Sequence, residues 1–145
     1  MGVVHVGRIE HEIGHPAVSR VPHVEVALHQ STEARVAAAK RHGYSEEFDL
    51  DLYFLHDVPK AVAEAGASHQ RNEAKIAFAE PCRFERWPDV PIRVIAGRDD
   101  RFFPIEFQER VAKERLALTE VESLPGGHLV ALSHPEALVD LLLAR

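Results

Sequence analysis

Two acids and a histidine carry the chemistry that the second half of this sequence offers. Asp99 and Asp100 close the stretch Pro91-Ile92-Arg93-Val94-Ile95-Ala96-Gly97-Arg98-Asp99-Asp100, and His128 follows Leu124-Pro125-Gly126-Gly127. A carboxylate held against an imidazole fixes its tautomer and stabilises the imidazolium, as a general base needs when it activates a hydroxyl. Taken singly, such residues are more often a solvated turn acid and a loop histidine. Their positions raise them above that, because each follows a short run that reads as a strand.

The elements that must position them follow from local pattern. Residues 92–96 are apolar and rich in β-branched side chains, and Gly97 ends the strand where the backbone needs freedom. Pro104 suits a first helical turn, which predicts a helix to about Leu116 with Phe107 and Val111 one turn apart on one face. Residues 119–124 alternate as a second strand, ended by the turn Pro125-Gly126-Gly127. Ser133 with Glu136 three residues on predicts a capping box for a last helix over 134–144, with Ala137, Leu138, Leu141 and Leu142 as its buried stripe. Strand, helix, strand, helix implies an α/β fold with parallel strands and crossover helices. The C-terminal ends of such strands share one sheet edge. Asp100 and His128 are therefore expected to meet there, with Asp99 turned to solvent or to the turn backbone.

Upstream the pattern is weaker. Ser31 or Thr32 is expected to cap a helix over 34–40 that ends near Gly43. Short helices are expected over 59–65, stopping at Gly66, and over 68–79, stopping before Pro81. Residues 1–30 hold five histidines (His5, His11, His15, His23 and His29), two β-like pieces at 3–6 and 24–28, and the interruptions Pro16 and Pro22. They read as an irregular, histidine-rich segment.

The text around the two acids and the histidine resembles the end of an α/β-hydrolase. Gly97-Arg98-Asp99-Asp100 matches that family's Gly-x-x-Asp after the penultimate core strand, and Gly127-His128 matches its Gly-His after the last strand. The resemblance implies Asp100 as the acid and His128 as the base of a serine-hydrolase triad of the esterase type. It runs over roughly residues 31–145 and divides them into a cap-like helical segment (48–87) and a strand-helix-strand-helix portion (88–145). In this family the nucleophile sits on a Gly-x-Ser-x-Gly elbow that precedes acid and base in the chain. None of Ser19, Ser31, Ser45, Ser68, Ser123 and Ser133 has the paired glycines. The expectation is the C-terminal part of a longer, truncated or differently started hydrolase, nearly inactive alone and without a cofactor. Its substrate, if complete, would be a small ester-like molecule with an apolar acyl group.

Two rival readings belong to other classes. His11-Glu12-Ile13-Gly14-His15 has the spacing that on a helix binds zinc and places a glutamate as base. Gly14 weakens such a helix and Pro16 pushes His15 out of helical geometry, so the string argues poorly for a metal site. The other rival is a non-catalytic module, self-associating as a homo-oligomer or binding a partner through an exposed sheet edge. Composition narrows the field further. The 145 residues carry a formal net charge of −6 with acids and bases interspersed, unlike the clustered basic face of a nucleic-acid binder. No apolar run reaches the eighteen or so residues of a membrane span. The single Cys82, with no base near it in sequence, reads as structural, and one cysteine suits a reducing cytoplasm.

Overall fold

The β-branched run at 92–96 does become the central strand. The computed structural model describes residues 4–6, 24–69, 71–72, 87 and 89–144, with 4–6 and 24–28 described by their backbone. In chain order its elements are β1 (Val4–Val6), α1 (Val24–His42), α2 (Leu50–Tyr53), α3 (Lys60–Ala67), β2 (Ile92–Gly97), α4 (Ile105–Leu116), β3 (Glu122–Leu124), α5 (Val130–Ser133) and α6 (Pro135–Leu143). β2 lies between the other two strands. It pairs parallel with β3 in the register Ile95↔Glu122, Ala96↔Ser123, Gly97↔Leu124. It pairs antiparallel with β1, Val4 opposite Val94. The parallel pair is the arrangement that the strand-helix-strand order demanded, with α4 as its connection.

The core beneath the parallel pair is Ile95, Leu124 and Leu138, with Val130, Leu141 and Leu142 packed against it. Each full burial of such a side chain is worth about 1.5–3 kcal/mol, so this cluster holds α6 on the sheet. Arg93 adds a polar tie. Its guanidinium donates to Glu122 at 2.6 and 2.5 Å, to Leu141 O at 2.9 Å and to Ala144 O at 3.2 Å. One β2 side chain thus grips both β3 and the end of α6. α1 buries Ala38 and Ala39, and Arg41 reaches Glu106 on α4 at 3.2 Å.

Several sequence expectations are corrected. Residues 24–28 are helical, so α1 runs across residue 30 and neither Ser31 nor Thr32 caps it. A short apolar run is ambiguous between strand and buried helix, and here it continues into an alanine-rich helix former. α1 does end at Gly43, whose φ of +73° suits glycine. β3 covers three residues only. The left-handed Ala117 and the exposed Thr119 and Glu120 keep the chain from pairing earlier. The Ser133–Glu136 capping box does not form: Ser133 ends α5, and the N-cap of α6 is His134, without a side-chain cap. Ala137 is exposed rather than part of the buried stripe. The helix expected from Ser68 does not start there, because Ser68 and His69 form a turn in which His69 N–H donates to Gly66 O at 3.0 Å. Arg71 and Asn72 are not helical either; the rest of that stretch and Cys82 lie outside the described residues, as do His11, Glu12 and His15. Among the described residues no helix is long and apolar enough to cross a membrane.

Candidate active site

The end of β2 and the loop after β3 are stitched together by their own backbones. Arg98 N–H donates to Leu124 O at 2.8 Å and Asp99 N–H to Gly126 O at 2.9 Å. Asp99 Oδ2 returns an acceptor to Gly126 N–H at 3.1 Å. Gly126 has a φ of +134°, which few side chains tolerate. Asp99 is therefore a loop-binding acid, turned to the backbone as expected.

Asp100 faces the other way. Its side chain is 6% exposed and that of His128 8% exposed, with His128 Nδ1 3.0 Å from Asp100 Oδ2. The second oxygen, Oδ1, accepts from Phe102 N–H at 2.8 Å and Phe103 N–H at 2.9 Å. Gln108, one turn into α4, donates to Asp100 Oδ2 at 3.3 Å and to Phe103 O at 2.7 Å. A carboxylate accepts at about four sites and donates at none. Phe102 N–H, Phe103 N–H and the Gln108 amide already donate to this one, so an ionised Asp100 accepts from Nδ1–H as well, and in the neutral ring Nε2 is then the acceptor. That is the tautomer a general base requires.

Three phenyl rings enclose the imidazole. Phe54, Phe102 and Phe103 lie 4.2, 5.2 and 5.3 Å from it, centroid to centroid. Phe48 extends this wall against Phe54 and Phe102, both at 5.7 Å, and is 54% exposed. A low-polarity surround strengthens the Asp100–His128 bond relative to water. It also gives anything approaching His128 an apolar wall.

A second polar group leans on the same loop from the segment between α2 and α3. Asp57 Oδ2 accepts from Gly127 N–H at 2.6 Å and lies 3.7 Å from His134 Nδ1, which in turn is 2.9 Å from Ser133 Oγ. Burial pushes the Asp57 carboxyl up, but the Ser133 hydroxyl and the Gly127 N–H outweigh it and leave its pKa below the usual value. Burial, reinforced by the charge of Arg101, lowers the pKa of His56. Arg101 is held by the segment around α2 rather than left in solvent. It donates to Leu52 O at 3.2 Å and stacks over Tyr44. Arg98 is exposed.

The structure thus brings together the two residues singled out by sequence, Asp100 and His128, and separates Asp99 from them. Sequence reasoning passed over Gln108, Phe102, Phe103 and the Asp57 contact. The adjacent pair Phe102-Phe103, directly after the acid, was the available signal for the aromatic wall. Asp57, with His56, reads from sequence as a polar residue of the cap-like segment near the pocket, and nothing local tied it to Gly127. Among the described residues no group of three or more His, Cys, Asp or Glu side chains could hold a metal ion. A family model described as "Alpha/beta hydrolase family" matches residues 12–141. Among curated proteins and among solved structures, none matches the chain.

Proposed function

The chain belongs to the alpha/beta hydrolase family, and on that premise we propose that Asp100 and His128 are the acid and base of a serine-hydrolase reaction of the esterase type. The observation that carries this reading is the buried 3.0 Å contact between His128 Nδ1 and Asp100 Oδ2. With Nδ1–H given to the carboxylate, Nε2 takes the proton of an attacking hydroxyl, and Asp100 stabilises the imidazolium that forms. His128 then returns the proton to the leaving alkoxide of an ester. The phenyl wall around His128 favours an apolar acyl or aryl group on that ester. The 145-residue sequence contains no Gly-x-Ser-x-Gly elbow. On its own the chain therefore supplies the proton-transfer half of the machinery and hydrolyses esters poorly or not at all.

The test is the tautomer of His128, read from its ring ¹⁵N shifts in the intact chain and in two variants. In Asp100→Asn the amide oxygen belongs at the Oδ1 position, where two backbone N–H groups need an acceptor. The amide NH₂ then faces Nδ1, which becomes an acceptor, and the proton moves to Nε2. Asp99→Asn leaves the Nδ1–H form in place. A His128 that responds equally to both substitutions, or to neither, would overturn the proposal.

A further inference from the structure

We infer that Asp57 is a positioning residue: its carboxylate, brought in between α2 and α3, holds the backbone of Gly127 so that His128 stays against Asp100. The inference rests on the acid–base reading of His128 and adds a third acid to it, from a part of the chain 70 residues away.

The loop that carries His128 has few other anchors. Gly126 is tied to Asp99 on its far side, and among the described residues the His128 side chain is held by one hydrogen bond and by rings that have no polar grip on it. Gly127 lies between these two points, and Asp57 Oδ2 takes its N–H at 2.6 Å. A hydrogen bond to an ionised acceptor is shorter and roughly twice as strong as a neutral one. The lowered pKa of Asp57 agrees with its acting as an anion.

The surroundings of Gly127 point the same way. A Cβ on it would meet Asp57 Oδ1 and His56 Nε2, each at 2.6 Å. Those two buried atoms have no hydrogen-bond partner among the described residues. Buried polar atoms left unpaired are costly and call for a reason. Packing both against the bare Cα of Gly127 brings Oδ2 onto the N–H, and the backbone is pinned from two directions. Ser133 and His134, beside the same carboxyl, keep Asp57 from turning away.

The experiment uses the full chain, with Asp57→Asn and Asp57→Ala followed by NMR. Two quantities are read: amide hydrogen exchange at Gly127 against Ala96 in the central strand, and the ¹⁵N tautomer of His128. Loss of a charge-assisted bond should speed Gly127 exchange in Asp57→Ala by roughly tenfold or more while Ala96 changes little. Asp57→Asn, nearly isosteric and still an acceptor, should fall between. In Asp57→Ala, His128 should populate both tautomers, because its Nδ1–H no longer finds Asp100 in one place. Equal acceleration at Gly127 and Ala96 would mean a merely structural role and overturn the inference. So would faster Gly127 exchange with an unchanged His128 tautomer. If Asp100→Asn shifts the tautomer and Asp57→Ala does not, positioning alone fails. If Asp100→Asn also leaves it unchanged, the acid–base reading beneath it has failed first.

Discussion

Ser133 stands beside both a histidine and a carboxylate, and so has to be weighed as a nucleophile. Its Oγ is 2.9 Å from His134 Nδ1, and Asp57 Oδ2 is 3.7 Å from that same nitrogen. A triad needs the opposite arrangement, with the hydroxyl on one ring nitrogen and the carboxylate on the other, so that a proton taken at one side is balanced at the other. Here both partners crowd Nδ1, and the serine also contributes to holding Asp57 as an anion. Ser133 Oγ is thus not placed as a triad hydroxyl on His134. A fluorophosphonate probe with mass-spectrometric readout should therefore leave the chain unlabelled, in keeping with the roughly 10⁶-fold loss that follows removal of a triad serine. A probe adduct on Ser133 or on any other serine would contradict this.

At the level of elements, the site depends on how closely the end of β2 approaches the loop after β3. Gly97 is the point of closest approach. A Cβ there would overlap the carbonyl oxygens of both Gly126 and Gly127, which are backbone atoms with no rotamer to change. Gly97→Ala should therefore cost about 1–3 kcal/mol, the range for forced overpacking, and lower the urea midpoint accordingly. It should also part Asp99 from Gly126 and with it His128 from Asp100. Gly66 provides the contrast. It lies in α3, and a Cβ on it would meet nothing within 4 Å. Gly66→Ala should stabilise the chain by roughly 0.5–1 kcal/mol through helix propensity. Equal effects of the two substitutions would mean that the loop is not packed as described.

For the molecule as a whole, three shifted groups give stability the same dependence on pH. His56 is lowered by burial and by Arg101. Asp57 is lowered against its burial by Ser133 and Gly127, and Glu122 by the hydrogen bonds from Arg93. In each case the folded pKa lies below the unfolded one, so the unfolded chain binds more protons and stability falls as pH falls. The His56 contribution is complete above its unfolded value of roughly 6.5 and fades below it. Those of Asp57 and Glu122 hold down to roughly pH 4 and then fade. The melting temperature should decline in two stages from pH 8 to pH 3. Glu122→Gln should flatten the lower stage and leave the upper one. A melting temperature rising towards acid pH would contradict all three assignments.

What the sequence determined by itself was local. The β-branched run at 92–96, the proline-started helix after it and the glycine turns were enough to specify an α/β arrangement with parallel neighbours, because period and turn chemistry act over a few residues. The same run and turns, read against the hydrolase pattern, marked Asp100 and His128 and turned Asp99 aside. Only the tertiary structure decided the rest. Whether 24–28 forms strand or helix was settled by the element it joins, since a five-residue apolar run fits both. Ser133 lost its capping role because α5 occupies the residues before it and His134 lies beside its hydroxyl. The phenyl wall and the Asp57–Gly127 bond join residues far apart in the chain. Contacts of that kind have no periodicity to read; they exist only once the sheet and its covering segment have brought their backbones together.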